Sequence, residues 1–587
     1  MKTSKTVGMV MLLSTLARCL SLAGSMAYTA YFGYTLETDI YSYAVNLPNL
    51  IFTCIGTSLV TVVIPIFTGK LASGDEKSAY GFIDSVITIS LLLAAAIAAA
   101  GMLAAPAIVS AAPRFSAGDR ELAVFALRLM FPVMVFYALS YIFQGVLQSN
   151  GRFAMPAAAG AFSGLSVIAY VLVLAGRFGV RGLLAATFAG LAMQAAALAP
   201  SMRRLGYRYR PRADLSSPDV RLCGRLALPV LISSSSYQLN MFVNSTFATG
   251  FSGGVVAISN TQNLAFTAAQ LFILSALAVY FPKMSALYAK GDARGFRDSF
   301  SSVMRLIVYF AIPASVALAY LSKYLMPILY GRGRVTPGDI AMSAAVFSCY
   351  AASIASIGFK EAADRAFYAM RDTRAPAAAS VLIMALNVSL SVALKGRLGL
   401  IGLPLAYAVS ISAGAAILLA ALRRRMRDGL RKMEAGGEHE TEAGGGGEEA
   451  GAPGGPGMGR GDGRPPEPAA GRPEGREPAG GRPPLRPSRA SRERPRPRPN
   501  DGLKYMAIKC IIASMAMLAA LRLADMALPE AAGLAAAAGS MALLVACGAA
   551  AYFLATLALR VGEAAAIASF AAKLGRRLLA RAAQPRR

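Results

Sequence analysis

Apolar stretches of about 20 residues, the length an α-helix needs to cross a hydrocarbon layer, recur along almost the whole chain and are parted by short polar turns. They fall near 7–32, 40–67, 82–110, 121–148, 154–175, 182–202, 226–249, 256–281, 300–321, 339–359, 376–394, 400–422, 504–526 and 532–558. The pattern predicts an all-α polytopic membrane protein with about 14 transmembrane helices. The first apolar segment is too long for a cleavable leader and runs into the second through a short polar turn, so it reads as a retained span.

The pattern also repeats. Pro65 is followed nine positions later by Gly74-Asp75, and Pro282 at the same interval by Gly291-Asp292. Further on, Gly176-Arg177-Phe178-Gly179 and Gly182-Leu183 reappear as Gly396-Arg397-Leu398-Gly399 and Gly402-Leu403, with Pro156 and Pro376 in step. An offset of roughly 220 residues argues for duplication, the plan of a transporter built from two related halves. Each copy has an even number of crossings, so two six-helix lobes are expected, related by a pseudo-two-fold axis along the membrane normal, with two C-terminal helices outside the repeat. The expected organisation is a first lobe at 1–205, a basic cytoplasmic connector at 206–225 that an interfacial helix would suit, and a second lobe at 226–425. A Gly, Pro and Arg-rich cytoplasmic linker follows at 426–503, then the last two spans at 504–560 and a basic cytoplasmic tail at 561–587.

Hydrophobic residues make up 56% of the 587, which excludes one soluble core. A net charge of +28 would point to nucleic acid in a soluble protein, but here it sorts by loop, and no nucleic-acid partner is expected. With the Lys-containing N-terminus inside, Arg203, Arg204, Arg208, Arg210, Arg212, Arg221, Arg225, Lys283, Lys290, Arg374 and Arg423 all fall on the cytoplasmic side, while Glu37, Asp39, Asp525 and Glu530 fall opposite. Both termini are therefore expected in the cytoplasm. The six cysteines form no CxxC pair and read as small apolar fillers. The single histidine, His439, sits in a Gly and Glu-rich stretch, leaving none for a proton relay, a metal or a triad and weighing against an enzyme. Tryptophan is absent, so Tyr28, Tyr31, Tyr41 and Tyr43 are the expected interfacial anchors.

Residues 433–502 hold almost nothing apolar to bury and are expected to be disordered. The GGGGEE segment lacks the Gly-Lys-Ser or Gly-Lys-Thr of a phosphate loop, and Arg460-Gly461-Asp462 reads as chance on the cytoplasmic side. The Arg and Pro run at 482–498 has a second reading as a contact for anionic lipid or for cell-wall or division proteins.

Several motifs together carry a resemblance. They are Phe32-Gly33 with Thr38-Asp39, Leu47-Pro48-Asn49-Leu50, Gln144-Gly145-Val146-Leu147-Gln148 leading to Gly151-Arg152-Phe153, Gly331-Arg332-Gly333, and the run from Arg365-Ala366-Phe367-Tyr368 to Asp372-Thr373-Arg374-Ala375-Pro376. Over nearly all of residues 7–425 the chain resembles the MurJ/MviN lipid II flippases of the multidrug/oligosaccharidyl-lipid/polysaccharide exporter superfamily. The resemblance implies alternating-access transport of the undecaprenyl-diphosphate-linked peptidoglycan precursor from the inner to the outer leaflet of the bacterial plasma (inner) membrane, for cell-wall synthesis. It places the headgroup in a cavity between the lobes, gives the last two helices a groove for the lipid tail, and asks for no cofactor beyond membrane potential or a coupling ion. The chain departs from the family's Arg-Asp pair late in the first helix (here Gly24-Ser25), from the basic residues after Leu-Pro-Asn-Leu (here Ile51-Phe52-Thr53), and from the arginine of the eighth helix, where 260–270 carries no charge. Alternative readings are a flippase for another polyprenyl-linked oligosaccharide, a drug/cation exporter, or a transport-inactive scaffold for cell-wall proteins.

Arg18 lies deep in the first span, where an arginine costs roughly 2.5–3.5 kcal/mol to insert, so it is expected to face a cavity and offer its planar fork to a diphosphate, unless it snorkels or pairs with Asp39. Asp39 reads either as an N-terminal cap after Thr38 or as a cavity residue. Asn49 and Thr57 extend a polar lining along the second span, which Pro48 is expected to bend. In the seventh and eighth spans Gln238, Asn240, Asn244 and Asn263 offer either a neutral wall for sugar hydroxyls or interhelical glue. Lys283, Arg371 and Arg374 are candidates for the headgroup entrance. The cluster Lys360, Glu361, Asp364 and Arg365 reads as a cytoplasmic helix end held by ion pairs, and no metal site is expected.

Overall fold

The computed structural model describes residues 2–112, 114–115, 119–370, 372–443, 499–528, 533–565, 567–569 and 572, and every regular element among them is helical. In chain order these are α1 (Lys2–Phe32), α2 (Leu36–Ala72), α3 (Glu76–Ser110), α4 (Arg120–Met130), α5 (Val133–Ser149), α6 (Ala154–Ala158), α7 (Ala161–Val173), α8 (Ala175–Arg203) and α9 (Pro218–Ala248). Then come α10 (Gly254–Ala289), α11 (Ala293–Tyr330), α12 (Pro337–Ala352), α13 (Ile354–Ala369), α14 (Arg374–Leu398), a 3-10 turn (Gly399–Ile401), α15 (Gly402–Ala443), α16 (Pro499–Ala527) and α17 (Leu534–Ala558). Ten helical stretches among the described residues are long and apolar enough to cross a membrane. One of them, Arg374–Asp428, runs for 55 residues, far more than the roughly 20 of a single crossing, and turns back at the 3-10 element.

Local chemistry explains the helix ends. Thr35 and Thr38 form a capping box at the start of α2, and Thr336 and Asp339 another at α12, where Pro337 occupies the first turn. The break between α12 and α13 at Ser353 frees backbone donors within a span, and the Ala355 N–H donates to Ser315 on α11 at 3.0 Å.

The sequence repeat is visible in the backbone. Gly74 (φ 79°) and Gly291 (φ 72°) make the same turn, and the aspartate after each caps the next helix, Asp75 accepting from Ser78 N–H and Asp292 from Gly295 N–H. Gly179 (φ 53°, ψ −145°) and Gly399 (φ 61°, ψ −141°) share a conformation that side-chain-bearing residues rarely enter.

Helices α1–α8 pack chiefly on one another, as do α10–α15, while α9 packs most extensively on α2; the two sets meet there, where α2 also lies along α10 and α1 touches α11. Close approaches use small residues: a Cβ on Gly164 of α7 would come within 2.7 Å of the Leu20 carbonyl group of α1, and one on Gly24 within 3.2 Å of the Gly164 oxygen. Helices α16 and α17 pack on each other and principally on α11. There Asp525 of α16 accepts hydrogen bonds from the Tyr320 hydroxyl at 2.6 Å, the Tyr324 hydroxyl and the Lys323 ammonium.

Several expectations change. Tyr28, Tyr41 and Tyr43 are not interfacial anchors: all three are buried, because their hydroxyls find partners inside the protein, Asn260, Thr187 and Thr246 respectively. Only Tyr31 of the four is exposed. The connector has no regular helix over 207–214, where Pro211 has no N–H for a helical ladder, while its residues 218–225 open α9. Tyr207 is buried and donates to Asp84 of α3 at 2.6 Å, while the Arg210 and Arg212 N–H groups donate to Asp84 and Thr88. Burial and the Asp84 carboxylate push the Tyr207 hydroxyl above its ordinary value, which keeps it a donor. Pro48 sits inside the continuous α2. Residues 426–443 of the expected linker continue α15 as helix, whereas 444–498 and the tail from 573 lie outside the described residues.

Gly399→Ala and Gly179→Ala should each lower stability by about 1–3 kcal/mol, because alanine is strained at these backbone angles. Thermal unfolding in detergent measures it, and an unchanged midpoint would count against the shared conformation.

Candidate functional site

Asp39 is wholly buried, and its Oδ1 accepts from the backbone N–H groups of Val255 and Val256 at 3.0 and 3.1 Å. These donors belong to the first turn of α10, whose N-cap, Gly253 (φ 66°), has no side chain to offer them. A carboxylate on α2 therefore caps a helix of the other set, where the helix dipole also favours negative charge. The Arg114 guanidinium lies 3.7 Å from Oδ2. Asp39 is thus neither the cap of its own helix, which is Thr35, nor a lining residue of the two cavities described next.

Other cross-contacts cluster around it. The Ser343 hydroxyl donates to Tyr34 at 2.8 Å, Asn46 donates to Ser259 at 2.9 Å, and the Arg334 N–H donates to the Ala30 carbonyl at 2.8 Å. A Cβ on Gly333 would lie 1.9 Å from that carbonyl oxygen, so only glycine lets the α11–α12 turn dock on α1. Together these bonds seal the end of the molecule at which α1 turns into α2.

Beneath this seal a cavity of about 680 Å³ opens between α1, α5, α6, α8, α10 and α11. Its polar lining includes Arg18, Ser21, Gln144, Gln194, Asn260 and Asn263. The Arg18 guanidinium donates to Gln270 Oε1 at 3.0 Å, so it pairs with a neutral amide across the junction of the two sets and not with Asp39. Gly24 faces α7, where a Cβ would press on the Gly164 carbonyl, and Ser25 reaches Tyr330 at 3.4 Å.

Gln270 also lines a second cavity of about 290 Å³, bounded by α9, α10, α13, α14 and α15, with Asn240, Lys360, Glu361, Ser380 and Tyr407 among its walls. Beside it Asn387 of α14 donates to both Asn240 and Asn244, and Ser391 donates to Asn244. Asn244 therefore serves as interhelical glue, while Asn240 is both glue and wall. Lys360 bonds Asp364 at 2.6 Å one turn along the helix, the expected ion pair. It also lines the second cavity, nine residues before α13 ends at Ala369.

The structure thus brings Arg18 and Asn263 together in the first cavity and puts Asn240 in the second. Asn49 and Thr57 line neither; they join a hydroxyl ladder along α2 in which Thr53 donates to the Asn49 carbonyl and Thr57 to the Thr53 carbonyl, both at 2.7 Å. Gln238 is half-buried on α9, and Lys283 and Arg374 are exposed. Arg371 lies outside the described residues. Sequence reading missed Gln270, Lys360 and Glu361 as cavity residues. The available signal was a charge pair at i and i+4 directly after an apolar run.

A cavity with polar side chains between two membrane-crossing helical sets, and a second one within the latter set, define a transporter-like membrane protein. The fold is shared with solved transporters: a lipid II flippase MurJ in an inward closed conformation superposes with a TM-score of 0.62 at 20% identity, covering 70% of this chain and 87% of that one. An inward-facing multidrug resistance MATE family transporter gives 0.58 at 15% identity, covering 73% and 98%. The profile of the family described as Lipid II flippase MurJ matches residues 28–436, and the chain belongs to that family. Relatives named probable lipid II flippase MurJ include those of Bdellovibrio bacteriovorus, 26% identical over 70% of this chain and 80% of that protein, and Treponema pallidum, 25% identical over 68% and 77%.

Asp39→Ala should cost about 2–4 kcal/mol, since two charge-assisted bonds vanish and two helix N–H groups are left without an acceptor. Asp39→Asn, which keeps one oxygen acceptor, should cost less. Thermal unfolding reads both, and thiol labelling of Ser259→Cys should rise in the alanine background; no change in either would remove the sealing role.

Proposed function

We propose that this protein carries lipid II, the undecaprenyl-diphosphate-linked peptidoglycan precursor, from the inner to the outer leaflet of the bacterial plasma membrane by alternating access. The observation that carries the reading is Arg18 facing a polar cavity at the junction of the two helical sets. An arginine inside a span is costly unless it meets a partner, and its fork of donors matches diphosphate oxygens. In the resting arrangement Gln270 occupies one of those donors, and an arriving diphosphate replaces a neutral acceptor with a charged one.

The two sets act as six-helix lobes related by a pseudo-two-fold, with about 14 crossings in all and both termini in the cytoplasm. The seal around Asp39 is then the outer gate, closed while the cavity loads from inside. No bond of the cargo is made or broken. A doubly anionic headgroup leaving an inside-negative cell gains about 4.6 kcal/mol per 100 mV if both charges cross the whole field, so membrane potential supplies direction without a nucleotide. The linker at 426–503 serves as a tether for cell-wall or division proteins.

Arg18→Ala should reduce outward movement of fluorescent lipid II in reconstituted vesicles by at least about tenfold, the loss of one charge-assisted contact. Arg18→Lys, which keeps the charge without the fork, should fall between. Unchanged flipping by the alanine variant would refute the site. A chain lacking 444–498 should still flip lipid in vesicles at the intact rate, and failure to do so would give the linker a direct part in transport.

A further inference from the structure

The second cavity has an electrostatic character that the diphosphate reading leaves unused. Two charged side chains line it, Lys360 and Glu361. Lys360 is already neutralised: its ammonium donates to Asp364 at 2.6 Å, and Asp364 is itself buried. Among the described residues Glu361 has no hydrogen-bond or ion-pair partner, and Arg365, one turn along, instead lies over the Phe281 ring at 5.6 Å. The cavity therefore presents one carboxylate whose neighbouring cations, Lys360 and Arg365, are engaged elsewhere, flanked by the amides of Asn240 and Gln270 and the hydroxyls of Ser380 and Tyr407, against apolar walls that include Ile273 and Ile383. Inside a membrane-crossing stretch such a carboxylate is costly unless a cation meets it.

The two cavities are complementary in charge and are linked by one hydrogen bond. Arg18 brings a cation to the first, Glu361 an anion to the second, and Gln270 lines the second while accepting from Arg18. A ligand spanning both would carry a phosphate at one end and an ammonium at the other. We propose that the second cavity is a specificity subsite in which Glu361 receives a primary ammonium group on the peptide part of the lipid-linked cargo. Lys360 is held out of competition by Asp364, and the neighbouring amides and hydroxyls bond the peptide backbone. The inference rests on the reading of the cargo as a peptide-bearing lipid diphosphate.

Native mass spectrometry of the full chain tests it with two probes, lipid II whose peptide carries a free side-chain amine and the same lipid with that amine acetylated. The intact protein should bind the free amine at least about tenfold more tightly, the value of one charge-assisted contact. Glu361→Gln should erase the difference between the two lipids while still binding the acetylated one, which also shows that the variant is folded. Glu361→Asp should keep part of the preference. Equal binding of both lipids by the intact protein, or a preference that survives Glu361→Gln, overturns the subsite while the cargo reading stands; binding of neither lipid overturns the cargo reading itself. Competition of the Glu361-dependent preference by sodium, but not by N-methylglucamine at equal ionic strength, would assign the carboxylate to a free inorganic cation and also overturn the proposal.

Discussion

Hydrocarbon offers no hydrogen bonds, so each polar group carried into it must be answered by another part of the protein. That constraint organises this molecule. Serine and threonine hydroxyls along the helices return to carbonyls one turn back, as Thr53 and Thr57 do on α2. Where a helix breaks, as at Ser353, a neighbouring hydroxyl takes up the freed N–H. Where two helical sets meet, amides and phenols pair across the gap. The polar side chains that line the two cavities are the chemistry available to a passenger.

Asp39 is the extreme case. A buried carboxylate would be expensive alone, yet it is solvated by two backbone donors of α10, with an arginine nearby. The arrangement is economical because each partner solves the other's problem: the first turn of α10 lacks a capping side chain, and the carboxylate lacks water. The bond also joins two sets of helices that are continuous only through the chain near 204–217, so its rupture and its reformation are events of the whole protein and not of one loop.

Much of this was legible in the amino-acid sequence. Hydropathy placed the helices because a bilayer demands long apolar runs, and the paired Gly-Asp turns announced the repeat because both copies need the same turn and cap. Arg18 was legible as a cavity residue, since an arginine so deep in an apolar run has few other places to go. Less readable were features set by the far partner. Nothing near Asp39 says that its acceptor role is filled 216 residues away; Thr35 and Thr38 even supply the cap that Asp39 was thought to provide. Tyr28, Tyr41 and Tyr43 looked like interfacial anchors because a phenol suits a bilayer surface as well as a buried polar partner. Lys360 was legible as an ion-paired residue but not as part of a cavity wall, which four other helices complete.

The way α16 and α17 are fastened has a mechanical corollary. Their main anchorage is α11, clasped by Asp525 between two phenols and an ammonium. They are therefore passengers of the second half. Any pivot of one half against the other would carry this hairpin along as an outrigger, so its distance from the first half is geared to the central motion and needs no separate trigger.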